Sequence, residues 1–408
     1  MGLPTWDRTR MNPINCDDIL HEIFLRLPIK SVVRFKCVAT KWNELISTPY
    51  FRSCYLSSVK YSPLGFFESL KVIRGDKIYY KDMPPLSFLP ICEEGEDINS
   101  LSFLKDVGYL VGGVSNGFIL CGWNPGRYVV CNPLTNQLFC LPKVRTRRYP
   151  MPTLGFSCEE ADDNGLVRFK VIQATTTSHD VLTETTMFID IFRSETSNWK
   201  QLVFPIATNF IMKPGQICIV IKGVFLWLDI DHNEYDIAAY NPNLSENQLW
   251  LLQRPGDPLK VMTTTFGESS DGLLVYATGD TYGFEIWVLR KKLSGYNFSS
   301  KIGRDEWVPR HTVNYQSISI EYPMMVRFSE ISHDRCYFNK FPHMVAFHPQ
   351  DSTILYLKFK HKILWYNVDT GKLELVYCHG NNDPNRNDMG LFPYFRAVWP
   401  MSLPPSTS

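Results

Sequence analysis

The sequence predicts an α+β multidomain chain: a small all-α helical module followed by a mainly-β domain. The β domain reads as a β-propeller, with a β-sandwich as the alternative. Three observations carry this expectation. Apolar residues recur at helical spacing only between residues 14 and 56. From about Val59 onward, short apolar runs alternate with Gly, Pro, Asn and Asp turns. Within that second region, a unit of strand, turn, strand, turn and closing strand recurs. The resulting division is a disordered N-terminus over 1–12, a helical module over 13–58, a β domain over 59–400 and a flexible tail over 401–408.

The helical module is built in four steps. Asn15 can cap a first helix, and Asp17 and Asp18 then face the positive end of its dipole. Ile19, Leu20, Ile23, Phe24 and Leu27 make one apolar stripe, and Pro28 ends it because it lacks an amide donor. A short second helix carries Val32, Val33 and Phe35, and a third carries Val38, Trp42, Leu45 and Ile46. Ser47 or Thr48 ahead of Pro49 starts a last helical segment bearing Phe51, Tyr55 and Leu56. A unit of about 40 residues is marginal alone, and this one has more large apolar side chains than short helices can bury. The surplus faces either the rest of the chain or a partner whose groove accepts anchors at helical spacing.

The β region opens with a strand pair at 65–70 and 77–80, a Pro-rich connection over 84–90 and an acidic, solvated loop over 93–97. The clearest copy of the repeat runs from Ser115-Asn116-Gly117 through 128–133 to Leu141-Pro142. Others run over 222–227, 235–242 and 249–252; over 271–276, 284–289 and 306–308; and over 352–358, 362–371 and 373–376. One more set spans 169–174, 187–193 and 199–203. One small sheet cannot cover both of its faces, so such units stack radially as propeller blades. A late strand near 394–399 would close the ring.

The totals restrict function more than they assign it. The 408 residues are 44% hydrophobic and 20% charged, which suits a small module plus one large domain with a substantial core. A formal net charge of +1 gives no overall field for nucleic acid or an anionic membrane. The 11 cysteines form no Cys-x-x-Cys pair, which favours reduced thiols in a cytoplasmic or nuclear protein. The polar opening MGLPTWDRTR has no secretory apolar region, and Trp6 stands where myristoylation needs Ser or Thr. The run ICIVIKGVFLWLDI is broken by Lys222, Gly223 and Asp229 and reads as two buried strands. Asn243 and Asn297 begin glycosylation sequons that stay idle in such a compartment.

No motif argues for catalysis, a metal or a cofactor. Gly113-Val-Ser115-Asn-Gly117 fits Gly-x-Ser-x-Gly, but a strand follows it where a nucleophile elbow requires a helix. Asp229-Ile-Asp231-His-Asn233 begins like a calcium loop, yet Glu234 and Tyr240 occupy the positions of its Gly and Glu. The nine histidines lie apart. Lys143, Arg145, Arg147 and Arg148 read as a solvated basic loop. Tyr149, Tyr282, Tyr296 and Phe341 are candidate exposed aromatics of a recognition face.

With these residues in view, the helical module resembles an F-box. The matching positions are Leu27-Pro28, Lys30-Ser31-Val32-Val33, Arg34 to Val38, Trp42, Leu45-Ile46, Pro49 and Phe51. Ile14-Asn15 replaces the Leu-Pro that often opens the motif, and Ala39 replaces a common Cys. The β region resembles the F-box-associated interaction domain of plant F-box proteins, a kelch-like propeller. Its landmarks are Asn116-Gly117, Val130-x-Asn132-Pro133-x-Thr135, Leu141-Pro142 and Gly155-Phe156. Phe169-Lys170-Val171, Ser194-Glu195-Thr196-x-x-Trp199 and Gly223-x-x-x-Trp227 continue the series.

The resemblance implies a non-catalytic substrate-recognition subunit of a Skp–cullin–F-box ubiquitin ligase. In that arrangement the helical module docks on a Skp-type adaptor and the β domain holds a target protein. The implied adaptor contacts are Ile14, Ile19, Leu20, Ile23, Leu27, Pro28, Val32, Val33, Phe35, Val38, Trp42, Leu45 and Ile46. Two alternatives remain: an adaptor-bound scaffold without ligase function, and a propeller that binds carbohydrate or another small molecule.

Overall fold

The structure is a computed structural model. It describes residues 17–58, 63–69, 73–74, 77–78, 87–91, 107, 109–124, 126–133, 135–144, 152–159, 165–178, 185–206, 210–212, 218–228, 237–244, 248–257, 261–292, 301–324, 326, 341–378, 390–395, 399 and 401–405. Contacts divide the chain into two compact units, Met1–Ser62 with Ala397–Met401, and Pro63–Arg396 with Ser402–Ser408. Among the described residues, no helix is long and apolar enough to cross a membrane.

The first unit holds α1 (Asp17–Leu25), α2 (Ile29–Phe35), α3 (Thr40–Ser47) and α4 (Pro49–Ser58). Asn15 and Ile14 lie outside the described residues. Pro28 takes an extended conformation (φ −58°, ψ 143°) and stands at the N-cap of α2, so it separates two helices as its ring demands. Thr48 caps α4: its Oγ1 accepts the Phe51 amide at 3.1 Å while Pro49 fills the first helical position. Val38 lies in the turn between α2 and α3, with its amide bonded to the Phe35 carbonyl at 3.1 Å, and not on α3 as the spacing suggested. The core consists of Leu20, Phe24, Val32, Ile46, Phe51 and Tyr55. Phe24, Phe35 and Trp42 form an aromatic trio with centroids 5.4–5.5 Å apart. The Tyr55 hydroxyl donates to the Leu27 carbonyl at 2.8 Å, which satisfies the polar end of a buried ring.

The second unit begins with β1 (Gly65–Ser69), a short hairpin of β2 (Ile73–Arg74) and β3 (Lys77–Ile78), and β4 (Ser87–Pro90). Next come β5 (Tyr109–Ser115), β6 (Phe118–Asn124), β7 (Arg127–Asn132) and β8 (Gln137–Cys140). A third group is β9 (Thr153–Cys158), β10 (Phe169–Ser178), β11 (Thr185–Arg193) and β12 (Asn198–Ile206). A fourth is β13 (Ile219–Ile221), β14 (Val224–Leu228), β15 (Ile237–Tyr240) and β16 (Leu249–Leu252). β17 (Thr263–Glu268), β18 (Leu274–Gly279) and β19 (Gly283–Leu289) follow, then β20 (Lys301–Ile302) and β21 (Trp307–Asn314). After the short helix α5 (Tyr315–Glu321) come β22 (His343–Phe347), β23 (Ile354–Phe359), β24 (Lys362–Asn367) and β25 (Leu373–Cys378). The last strand is β26 (Gly390–Tyr394).

These strands form six antiparallel blades, a six-bladed β-propeller. Among the described residues, blades two, three, five and six have four strands each, and β20 joins blade four as a fifth strand, parallel to β16. The first strands touch from blade to blade in the order β5, β9, β13, β17, β22, and β26 meets both β22 and β5. The ring therefore closes through blade one, whose order is β26-β1-β4. Gly65 pairs with Tyr394 and Ser69 with Gly390. The Tyr394 hydroxyl, fully buried, donates to the Gly117 carbonyl of blade two at 3.2 Å.

Closed stacking explains the burial pattern. Every residue of β9, β15, β16 and β18 is buried, because neighbouring blades cover both faces of a central strand. The outer strand β12 alternates between exposed and half-buried residues along most of its length. Between blades two and three, Phe139 meets Phe169 at 5.2 Å, and the Trp199 indole donates to the Pro142 carbonyl at 2.8 Å. Lys170, buried on β10, is paired with Glu159, as a buried ammonium must be. Two hairpin turns use left-handed pairs, Asn116-Gly117 (φ 48° and 79°) and Lys222-Gly223 (φ 45° and 77°), whose twist matches the flanking strands.

The propeller reading holds and the sandwich does not, since the sheets form a closed ring. The recurring sequence unit corresponds to the second, third and fourth strands of a blade. The inner strands β9, β17 and β22 lie outside that unit. Closure uses 390–394 in place of the expected 394–399. The segment 84–90, expected as a connection, contains β4, whose Pro90 ends an outer strand where no ladder donor is needed. β1 pairs with β26 and β4, not with the strand at 77–80. Of the segment 401–408 expected as a tail, residues 401–405 are described: Ser402 bridges to Leu166 and the Leu403 side chain is buried.

The ring also requires close approach at its inner strands. A Cβ on Gly267 of β17 would stand 2.6 Å from Phe347 Cγ and 2.8 Å from its Cβ. Those atoms are the stem of a buried ring and cannot swing away. Gly267→Ala is therefore expected to destabilise the propeller by about 1–3 kcal/mol through overpacking. Denaturant unfolding of the variant checks this, and an unchanged midpoint would contradict the close approach.

Candidate functional site

The helical unit divides the expected contact residues into a core and a surface. Leu20, Val32 and Ile46 are buried in the core, so they shape the unit and present nothing to a partner. Leu27, Phe35, Trp42 and Leu45 are partly buried and packed against that core, and Val33 is half-buried. Ile19 and Ile23 (46% and 47% exposed) lie one turn apart on α1 and share a face. Pro28, at the α1–α2 corner, is exposed, and Val38, in the α2–α3 turn, is 61% exposed. Tyr50 is exposed as well and stacks on His21 at 5.4 Å. Because Trp42 stands edge-on to Phe24 and Phe35, changing it disturbs the fold before it informs on binding.

Sequence reasoning missed one member of this unit. Trp399 packs with Phe51 at 6.3 Å and with Tyr55 at 5.9 Å, and Lys36 Nζ lies 5.7 Å from the centre of its ring. Burial lowers the Lys36 ammonium pKa from its ordinary value, as expected for a cation resting on an indole in place of water. Nothing local signals this contact, since more than 340 residues separate Phe51 from Trp399 in the sequence.

In the propeller, Ser115 of the Gly-x-Ser-x-Gly match ends β5 ahead of a hairpin turn. Its Oγ accepts the Cys158 amide at 3.0 Å, and Asn116 Nδ2 donates to the Cys158 carbonyl at 2.7 Å, so the motif joins blades two and three. Residues 229–233, Arg145, Arg147, Arg148, Tyr149 and Tyr296 lie outside the described residues. Phe341 is fully buried and stacks on His343 at 4.6 Å, which removes it from any recognition face. The cysteine thiols Cys121 and Cys131 sit 3.9 Å apart in the interior, and their hydrogen bond, with burial, pushes the Cys121 pKa up. Among the described residues, no group of His, Cys, Asp or Glu could hold a metal ion. A cavity of about 350 Å³ opens beside blade five, where the β18–β19 turn, the end of β21 and Gly256, Asp257 and Val261 converge. Tyr282, 60% exposed, lines it.

Residues 16–54 match the F-box domain family, and residues 108–299 match the F-box associated beta propeller domain family. Among curated proteins of Arabidopsis thaliana, "F-box protein At5g03970" is 26% identical over 95% of this chain and 89% of its own length. "F-box protein At3g49450" is 26% identical over 67% of this chain and 68% of its own. Among solved structures, a chain of the "Crystal Structure of Mitotic Checkpoint Complex" aligns over 65% of this chain and 64% of its own. That alignment has 14% identity and a TM-score of 0.32, a level that bears no argument.

Trp399→Ala is expected to destabilise the helical unit by ~2 kcal/mol, below the roughly 3–5 kcal/mol of a fully buried aromatic because the ring is partly exposed. Amide hydrogen exchange in α4 should accelerate while exchange in β10 and β11 stays constant. Uniform protection in both units would contradict a structural role for the indole.

Proposed function

We propose that this chain, which belongs to the F-box proteins carrying an F-box-associated β-propeller, is the substrate-recognition subunit of a Skp–cullin–F-box ubiquitin ligase. The F-box docks on a Skp-type adaptor, and the propeller holds a target protein near the ubiquitin-transfer machinery. The chain contributes no catalytic group in this reading. Its effect on the reaction is to hold two partners together, which turns a bimolecular encounter into an effectively intramolecular one.

The observation that carries the reading is the apolar surface left on the F-box-matched helices. Ile19, Ile23 and Val38 remain between 46% and 61% exposed, although the same unit buries Leu20, Val32 and Ile46 nearly completely. Isolated exposed apolar residues need no explanation, but four including Pro28 on a unit of this size present anchors for a partner surface. Leu27 and Val33 are half-buried and would add to the contact. Leu20, Val32, Phe35, Trp42, Leu45 and Ile46 would support these positions from the core.

The experiment is to mix the purified protein with a Skp-type adaptor and measure complex formation. The parent protein should form a one-to-one complex. Ile23→Asp and Val38→Asp, both at exposed positions that spare the core, should each weaken it at least about thirtyfold, or ~2 kcal/mol, if they are hot spots. Absence of binding by the parent, or full binding by both variants, would refute the docking surface. Ubiquitin transfer in a reconstituted ligase separates a working receptor from an adaptor-bound scaffold.

A further inference from the structure

The cavity beside blade five has a consistent chemical character. In an antiparallel blade, the turn between the second and third strands shares an edge with the end of the fourth. The β18–β19 turn and the end of β21 therefore meet on one rim of the ring, and Gly256, Asp257 and Val261, which follow blade four, supply the third wall. Among the described lining residues, every charged side chain is acidic: Asp257, Asp280 and Glu285. The aromatic walls include Tyr282 and Trp287.

The carboxylates of Asp280 and Glu285 are held in place and retain acceptor capacity. Asp280 Oδ1 accepts the amides of Tyr282 at 2.7 Å and Gly283 at 3.0 Å, which fixes the turn and leaves Oδ2 outside those bonds. Glu285 Oε2 accepts the Trp287 indole N–H at 3.2 Å, which sets the carboxylate against the ring and leaves Oε1 outside that bond. The same Oε2 lies 3.5 Å from where a Cβ on Gly256 would stand, so Glu285 reaches across to the blade-four connection. Gly256 (φ +78°) keeps that wall thin.

We propose that this cavity binds a cationic side chain, Arg or Lys, within an extended segment of a target protein. Two features select that chemistry over a metal ion. The carboxylates are not gathered closely enough to ligate one ion among the described residues, and the intervening walls are aromatic. An organic cation several atoms long can place its charge between separated carboxylates while its methylene stem and planar head lie on Tyr282 and Trp287. A volume near 350 Å³ sits at the small end of ligand pockets, which run roughly 300–1,000 Å³, and suits one long side chain with its flanking backbone. The proposal deepens the substrate-receptor reading and rests on it for biological meaning, although peptide binding itself needs no adaptor.

The test uses the full chain and two acetylated, amidated peptides, Gly-Gly-Arg-Gly-Gly and the same peptide with citrulline in place of arginine. Citrulline keeps the shape and removes the charge. Calorimetric or NMR titration to millimolar peptide is expected to show binding of the arginine peptide, weakened at least about tenfold by the citrulline exchange and weakened by added salt. Glu285→Gln and Tyr282→Ala should each weaken it at least threefold, and Glu374→Gln, on the outer strand β25, should leave it unchanged. Equal binding of the two peptides, no binding at millimolar concentration, or unaltered binding by Glu285→Gln overturns the proposal. Adaptor binding is measured on the same preparation. A protein that binds adaptor but not peptide defeats the pocket alone, and one that binds peptide but not adaptor defeats the receptor reading alone.

Discussion

The propeller depends on one pairing, that of β26 with β1. Each blade is a small sheet with two apolar faces, and a sheet so exposed cannot persist in water. Neighbouring blades solve this for each other, but only if the ring closes, because any open arrangement leaves two uncovered faces at its ends. Pairing Gly65 with Tyr394 joins the beginning and end of the domain in one sheet. Closure then dictates the rest: strands such as β15 and β18 buried on both sides, exposed residues along the outer strand β12, and glycine where inner strands approach. The loops at the rims are relieved of any duty to the core, which is why a cavity with chemical character can form there.

The helical unit shows a different compromise. Its core is small and strongly aromatic, with Phe24 touching Phe35, Trp42 and Phe51 at 5.5–6.4 Å. A four-helix unit of this size cannot both bury all its apolar side chains and offer apolar anchors outward. It keeps Ile19, Ile23 and Val38 outside and makes up part of the missing interior with Trp399, a residue from far along the chain. Residues that look alike in a motif thus separate into those that hold the unit together and those that face outward.

Much of this was legible in the sequence, for identifiable reasons. Pro28 marks a helix break by stereochemistry alone, and Thr48-Pro49 marks a helix start. Strands β14 and β23 carry the apolar runs VFLWL and ILYLKF, which reveal themselves by composition. The inner strands do not: β9 reads TLGFSC and β17 reads TTTFGE, with small and polar residues chosen for close approach and not for apolar weight. Periodicity could not separate Val32 from Val38, since both are apolar and only their positions relative to α2 and α3 decide exposure. The burial of Phe341 and the place of Trp399 depend on contacts distant in sequence, which no local pattern encodes. The cavity was foreshadowed only by Tyr282, because its acidic members come from separate turns that spacing does not connect.

The two contacts that complete the molecule share a position in time. β26 and Trp399 both lie beyond residue 389, so during translation the first-made helices leave the ribosome hundreds of residues before the indole that packs on them exists. A nascent chain halted short of residue 390 leaves the inner edge of β1 unpaired, the kind of bare strand edge that chaperones cover and proteases find. Truncated products of this gene would therefore announce themselves by two separate defects, an open ring and a thinned helical core. The finished protein alone hides both, so the geometry inspects its own synthesis.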